Sequence, residues 1–370
     1  MNDTTAKTIL IVGGGTGGHI SPGIALYEEG VAQSVRCLFL TGAKDRRFSS
    51  LGDIREGDLL YYNAPSFTRN IFKIPFFILR FAWAVIRAKG LIRKNGVDAV
   101  VGMGGYVSAP LLFAARMTGT KIFLCEQNTV PGKVTQFFEK RAVRLYGTFR
   151  ESCDYLKRAD IFVHAGNPIR KGVIKDVSRD EAKKSFHLEH CKKIIFVIGG
   201  SQGALNLNKL TFGLKKEFSG DLKDVGIIWS TGAFSYDSYK EKVQNEIDGG
   251  SIYISPYIDR VGLAYRASDI AISRSGAGVM MELAATGLPS IQIPYPFAAL
   301  DHQDKNADVF EREGAAVKIK DAEATPGKVA PVLFGLLNNQ RSLDKMSQKA
   351  LALAKSDAAG VIIGDIIKNI

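Results

Sequence analysis

Three times along this chain an apolar run ends in a glycine turn and a helix start, a grammar that dictates a parallel α/β fold. The first instance is Ile9-Leu-Ile-Val-Gly-Gly-Gly-Thr-Gly-Gly-His19, followed by Ser21-Pro22-Gly23. Four apolar residues, three of them β-branched, read as a short strand buried on both faces. The glycines clear side chains from the turn so that backbone N–H groups can face an anion. A polar residue followed by proline predicts the helix start at Ser21-Pro22. Strand, turn and helix N-terminus together form a pyrophosphate cradle. Gly102-Met-Gly-Gly-Tyr-Val-Ser108 is a second such turn, and Ile194-Ile-Phe-Val-Ile-Gly-Gly-Ser-Gln-Gly-Ala204 repeats the opening pattern.

Strand signals at 9–12, 37–40, 98–101, 121–125, 145–149 and 161–164, mostly separated by helical patterns, predict a first doubly wound parallel sheet. Gly166-Asn-Pro-Ile-Arg170 ends that series, and a charged helical stretch, 178–190, bridges to the next. A second series begins at 194 and continues at 226–230, 251–254, 269–273, 290–293 and 316–319. The reading is two Rossmann-like domains, 1–166 and 193–350, joined by a linker over 167–192 and followed by 351–370. Their strand C-termini are expected to face a shared cleft, where ligands of such sheets bind. A length of 370 residues with 46% hydrophobic and 23% charged residues fits this division.

Composition narrows the function classes. Cys37, Cys125, Cys153 and Cys191 are scattered without a CxxC pair, so a disulfide framework is excluded and a reducing compartment expected. The polar opening Met1–Lys7 lacks the apolar core of a signal peptide, and no run approaches the roughly 18 apolar residues of a transmembrane helix. A formal net charge of +12 suits nucleic acid, anionic lipid or phosphorylated small molecules; where the charge clusters decides between them. Lys73, Arg80, Arg87 and Lys94 recur every seven residues along 72–94, drifting only about 20° per step around a helix. Beside them stand Phe76, Phe77, Ile78, Leu79, Phe81, Trp83, Val85 and Ile86. A basic stripe next to aromatic and aliphatic residues suits a helix lying on anionic lipid, with Phe76, Leu79, Arg80, Trp83 and Arg87 as its contacts.

Gly13, Gly15 and Gly18 satisfy GxGxxG, but a dinucleotide site needs an acidic residue ending the second strand. The second strand ends Leu38-Phe-Leu-Thr-Gly42, and Asp45 already lies in the loop beyond it. The nicotinamide reading thus loses its ribose anchor. His19 instead puts an imidazole at the mouth of a phosphate turn, where it can accept a proton near neutral pH. The turn 199–203 offers N–H groups, a hydroxyl and an amide at another helix N-terminus. With a helix beginning near Gly276, Glu282 lies about one and a half turns in, where a carboxylate can take both hydroxyls of a ribose. Asp301-His302-Gln303-Asp304-Lys-Asn306 is dense in groups suited to sugar hydroxyls, and Glu126-Gln127-Asn128 ends a strand with polar residues. His187-Leu-Glu-His190-Cys191 has ligand-like composition but lies in the charged linker helix, so no metal is assigned.

Seven motifs in order carry a resemblance over nearly the whole chain. They are GGGTGGH at 13–19 with Pro22-Gly23, GMGGYVS at 102–108, EQN at 126–128, GNPIR at 166–170, GGSQGA at 199–204, RSGA at 274–277 with Glu282, and HQ..NA at 302–307. The chain is similar to the MurG family of glycosyltransferases, which add N-acetylglucosamine (GlcNAc) to lipid I in peptidoglycan synthesis. The resemblance implies a two-domain GT-B fold, no cofactor and no catalytic metal, with the C-terminal helix, 351–370, packing back on the first domain. It implies UDP-GlcNAc and lipid I as ligands, an anionic membrane surface and cell-wall synthesis or division proteins as partners, and no nucleic acid. It places the protein peripherally on the cytoplasmic face of the bacterial plasma membrane.

The same resemblance assigns UDP-GlcNAc contacts. Glu282 would hold the ribose, Ile258 would lie near uracil, Ser201 and Arg170 would approach the diphosphate with the helix start Ala277, Gly278 and Val279, and Gln303 would read the sugar. Thr16, Gly17, Gly18 and Asn128 would contribute from the first domain. Gly14, Gly15, Gly104, Gly105 and Tyr106 would take the acceptor's pyrophosphate. The expected chemistry is one inverting displacement by the MurNAc 4-hydroxyl, with His19 as first-choice base and Glu126 as second. Two departures from the family pattern are Cys125, where many relatives carry His, and Val279, where many carry Thr. The rival readings are a UDP-GlcNAc 2-epimerase of the same architecture and a non-catalytic nucleotide-sugar sensor at the membrane surface.

Overall fold

The computed structural model describes residues 7–66, 70–174, 177–200 and 203–370. They form two compact units, one made of the chain up to Arg170 with Lys355–Ile370, the other Lys171–Ala354.

The first unit holds strands β1 (Thr8–Val12), β2 (Arg36–Gly42), β3 (Leu59–Tyr62), β4 (Ala99–Gly102), β5 (Lys121–Glu126), β6 (Arg144–Gly147) and β7 (Phe162–His164). They pair in parallel in the order β3-β2-β1-β4-β5-β6-β7. Helices α1 (Gly17–Ala32), α2 (Ile74–Lys94), α3 (Gly105–Thr118) and α4 (Lys133–Phe138) belong to it. Alternation along β1 fills two layers at once: Leu10 and Val12 join the core beneath α2 and α3, while Ile9 and Ile11 join Ile20 and Ile24 of α1 on the other face.

In the second unit, β8 (Lys193–Ile198), β9 (Val225–Ser230), β10 (Ile252–Ser255), β11 (Ile270–Ser273), β12 (Ser290–Gln292) and β13 (Ala316–Lys318) form a sheet ordered β10-β9-β8-β11-β12-β13. Helices α5 (Arg179–Lys184), α6 (Leu205–Glu217), α7 (Tyr236–Lys242), α8 (Gln244–Asp248), α9 (Val261–Ala267), α10 (Ala277–Thr286), α11 (His302–Arg312), α12 (Pro326–Leu337) and α13 (Gln340–Leu353) surround it. Both sheets reverse direction of strand addition after their third strand, which puts the switch point between β1 and β4 and between β8 and β11. This is the doubly wound order, whose ligands bind at the switch point.

The last helix, α14 (Ala358–Asn369), completes the first unit rather than the second. Its Ile362, Ile363 and Ile366 enter the core layer of Ile9 and Ile11. Asp365 fixes its rotation, accepting a 2.8 Å bond from the Tyr146 hydroxyl and lying 3.5 Å from Arg144.

Several expectations are corrected. Helix α1 starts at Gly17, with Thr16 as its extended N-cap, so Pro22 lies inside the helix and not at its first position. At this sixth helical position Pro22 cannot donate the i→i−4 bond to the Gly18 carbonyl. Strand β3 was not anticipated, because 59–62 lacks the glycine turn and following helix that mark the other strands. The charged stretch 178–190 is helical only over α5, where Ser178 and Glu181 form a capping box, and it packs within the second unit. The expected linker, 167–192, is therefore divided: 167–170 stays with the first unit, and from Lys171 the chain is part of the second.

Candidate active site

The switch point of the first sheet brings two glycine turns together, because β1 and β4 are adjacent and Val12 lies level with Gly102. His19, the third residue of α1, reaches across to the turn after β4. A Cβ on Gly104 would lie 3.2 Å from its Nε2, and one on Gly105 would lie 3.2 Å from its Nδ1. Both glycines also have positive φ, +90° and +73°. The GMGG turn is thus the floor on which the imidazole lies, and a side chain at either position would displace it.

The ring is oriented through Nδ1, which is 3.3 Å from the Gly14 carbonyl and 3.2 Å from the Thr16 hydroxyl. A carbonyl only accepts, so a hydrogen bond to Gly14 requires the Nδ1–H tautomer, which places the ring's lone pair on Nε2. Gly17 and Gly18 occupy the first two helical positions, where N–H groups have no intrahelical acceptor and suit a phosphate oxygen. Tyr106 lies over Gly15, whose Cβ would come 3.1 Å from the ring. Arg170 also closes on α1, its Nε donating to the Ser21 hydroxyl at 3.2 Å, with Asp53 3.9 Å away.

Glu126, the second candidate base, is a structural brace by its contacts. It ends β5 only 4% exposed. Its Oε1 accepts from the Asn128 N–H at 3.1 Å and the Asn128 amide at 3.4 Å; its Oε2 accepts from the Gly132 N–H at 2.9 Å and the Thr135 hydroxyl at 2.8 Å. Four donors occupy the carboxylate, so its lone pairs serve the loop into α4 and not an incoming hydroxyl. Asn128 is held by the same contacts. Cys125 faces the core, and burial pushes its thiol far above the ordinary range, which keeps it protonated and inert.

In the second unit, α10 starts at the sheet's switch point with Gly276 as N-cap, which puts Ala277, Gly278 and Val279 in its first turn. Glu282 follows, buried, its Oε2 accepting from the Tyr265 hydroxyl at 2.8 Å. Ile258 is buried in the turn between β10 and α9. Gln303 stands in the first turn of α11, its Oε1 taken by the Tyr295 N–H at 3.0 Å, so its amide N–H pair is the end it presents. Ser201 lies outside the described residues.

Sequence reasoning missed two groups here. Arg274 is buried and donates from Nη1 to the carbonyls of Ile293 and Pro294 at 3.0 and 3.1 Å, pairs with Asp321, and lies over the Tyr295 ring. It fixes the loop that carries Tyr295 and, through it, Gln303. Leu300 and Asp301 both take left-handed φ, 56° and 53°, immediately before α11. Two successive non-glycine residues there concentrate strain beside Gln303, which no residue type announces. Among the described residues no three His, Cys, Asp or Glu side chains are grouped to hold a metal ion.

The outer helix α2 buries only Ala84, Val85, Ala88 and Ile92. Its first half leaves Phe76 62%, Leu79 70% and Trp83 62% exposed, with Arg80 over the Phe76 ring and Arg87 over Tyr62. Among the described residues no helix is long and apolar enough to cross a membrane.

Comparisons with known proteins place the chain in a family. The model of the glycosyltransferase family 28 N-terminal domain matches residues 9–146, and that of the family 28 C-terminal domain matches residues 194–362. A protein of Chlorobium limicola, named UDP-N-acetylglucosamine–N-acetylmuramyl-(pentapeptide) pyrophosphoryl-undecaprenol N-acetylglucosamine transferase, is 33% identical over 95% of this chain and 96% of its own. The crystal structure of Acinetobacter baumannii MurG superposes with a TM-score of 0.72 at 25% identity, covering 98% of this chain and all of that one. A putative UDP-N-acetylglucosamine 2-epimerase from Listeria monocytogenes reaches the same TM-score at 15% identity, covering 98% of this chain and 96% of that one, a likeness of fold alone. The chain belongs to glycosyltransferase family 28 and, within it, to the MurG family.

Proposed function

We propose that this protein transfers GlcNAc from UDP-GlcNAc to the 4-hydroxyl of MurNAc in lipid I, forming lipid II, in a single inverting displacement. The observation that carries the reading is the His19 imidazole, oriented through Nδ1 at a glycine-lined switch point. The acceptor oxygen attacks the anomeric carbon, its proton passes to His19 Nε2, and the bond to the UDP oxygen breaks. UDP leaves as an anion and needs charge stabilisation rather than a proton. The N–H groups of Ala277, Gly278 and Val279 at the start of α10, with Ser201 and Arg170, are suited to supply it.

The remaining roles follow from residue chemistry and family membership. Glu282, steadied by Tyr265, takes the ribose hydroxyls; Ile258 takes the uracil; the Gln303 amide donates to the sugar. Gly14, Gly15, Gly104, Gly105 and Tyr106 receive the acceptor's pyrophosphate, and Thr16, Gly17, Gly18 and Asn128 contribute donor contacts from the first unit. Glu126 positions Asn128 and has no proton-transfer role. The exposed face of α2, with Phe76, Leu79, Arg80, Trp83 and Arg87, rests on the anionic cytoplasmic surface of the membrane as a peripheral anchor. It is there that proteins of cell-wall synthesis or division would be met.

A transfer assay with a soluble lipid I analogue in EDTA tests the proposal. Expected is GlcNAc transfer that persists in EDTA and falls at least 100-fold in His19→Ala. Most of the turnover surviving in His19→Ala would remove the base assignment. Release of ManNAc without acceptor would mark an epimerase, and tight UDP-GlcNAc binding without transfer would mark a sensor.

A further inference from the structure

Asp45 follows β2 in a short 3-10 turn and is only 3% exposed. Its Oδ2 accepts from the Thr41 hydroxyl at 2.9 Å and the Gly42 N–H at 3.0 Å, both local. The same oxygen accepts at 2.9 Å from the N–H of Gly15, thirty residues earlier in the chain. Gly15 has φ +86°, and a Cβ on Gly14 would come within 2.9 Å of that oxygen, so the turn is closed tightly on the carboxylate. The other end of the same peptide unit, the Gly14 carbonyl, lies 3.3 Å from His19 Nδ1 and can accept from its Nδ1–H tautomer.

We propose that Asp45 is a positioning residue for His19, acting through the Gly14–Gly15 peptide. An amide is planar, so fixing the direction of its N–H fixes that of its C=O. The carboxylate thereby aims the carbonyl that holds Nδ1–H and leaves the lone pair on Nε2. Hydrogen bonds in series polarise one another, so the negative charge one amide away also favours the imidazolium formed when the acceptor's proton arrives. The arrangement is a carboxylate–histidine pair with a peptide group interposed. It rests on the reading of His19 as the base, and it gives a role to an acidic residue that a nicotinamide fold would have needed elsewhere.

The test uses the full-length protein, 15N-labelled at histidine, with Asp45→Asn as the variant: similar in size, still able to accept from Gly15, but uncharged. In the unmodified protein above pH 8, NMR should show His19 as the Nδ1–H tautomer; in Asp45→Asn the tautomers should mix. Turnover should fall about 10-fold or more, while KM for UDP-GlcNAc stays within about twofold. Removing a negative charge lowers the imidazole's proton affinity, so the acidic limb of the turnover–pH profile should move down by about half a unit. An unchanged tautomer and acidic limb in Asp45→Asn, even with slower turnover, would reduce Asp45 to a structural brace and overturn the proposal. An Nε2–H tautomer in the unmodified protein would overturn it whether or not the variant folds. Failure of the base reading looks different: His19→Ala keeps its turnover while the tautomer still responds to Asp45.

Discussion

Glu126→Gln separates a brace from a base more sharply than any other single change in the first unit. The carboxylate receives two donors on each oxygen, three of them at 2.8–3.1 Å and one at 3.4 Å. An amide retains one accepting oxygen and turns the other position into a donor. If the NH2 group takes the Oε2 position, it opposes the Gly132 N–H, whereas the Thr135 hydroxyl can rotate to accept from it. If it takes the Oε1 position, it opposes the Asn128 N–H. One backbone donor, on half-buried Asn128 or exposed Gly132, loses its protein partner in either case, and the remaining bonds lose their charge assistance. Charge-assisted bonds contribute about 1.5–3 kcal/mol each, so the ordered loop between β5 and α4 should lose roughly 2–4 kcal/mol. At 1.4 kcal/mol per factor of ten, amide protection of Asn128 and Gly132 should drop roughly 30- to 700-fold. Hydrogen exchange read by mass spectrometry or NMR measures this directly. Turnover should follow loop order and recover on cooling. A Glu126→Gln protein whose Gly132 protection is intact while turnover falls more than a hundredfold would refute the brace and make Glu126 the base.

Three further outcomes are expected. Gly105→Ala puts a Cβ 3.2 Å from Nδ1 and 3.3 Å from Cε1 of His19 in a backbone of φ +73°; the left-handed conformation alone costs about 1–2 kcal/mol. Lipid I transfer should fall more than tenfold with UDP-GlcNAc affinity, read by calorimetry, unchanged; full activity would show that the imidazole does not need its glycine floor. Replacing Arg80 and Arg87 together with Ala should weaken sedimentation with anionic vesicles by about 30-fold, at about 1 kcal/mol per basic residue, and high salt should mimic the loss. Unchanged partitioning would remove α2 as the membrane contact. Cys125, buried and with its thiol pushed well up, should resist iodoacetamide at pH 8 in the folded protein while half-buried Cys153 is alkylated, and Cys125→Ser should transfer GlcNAc at close to the normal rate. Early modification of Cys125 by peptide mapping would contradict its placement.

Periodicity and glycine placement were enough to read two doubly wound units, because strands buried on both faces need continuous apolar runs and phosphate turns need bare backbone. Ile9–Val12 and Ile194–Ile198 announce themselves for that reason. Strand β3 did not, since Leu59–Tyr62 is an edge strand partly exposed to solvent and lacks the turn-and-helix sequel. Nor did the true start of α1: the Ser21-Pro22 signal is a local preference, overridden because Gly17 and Gly18 can enter the helix four residues earlier. Glu126 read as a chemical group because a carboxylate at a strand end is ambiguous until its donors are seen. Those donors come from Asn128, Gly132 and Thr135, which no spacing rule pairs with it.

The sequence by itself thus determined the fold class, the family and the residue types available for transfer, since these rest on local patterns and ordered motifs. Tertiary structure alone decided which of those residues are oriented and by what. The adjacency of β1 and β4 puts the GMGG turn under His19, and the fold of β2 brings Asp45 to the Gly15 N–H. The return of α14 to the first sheet closes its core. Each of these joins residues far apart in the chain, and such contacts are fixed by packing and hydrogen-bond direction, quantities that a linear pattern does not carry.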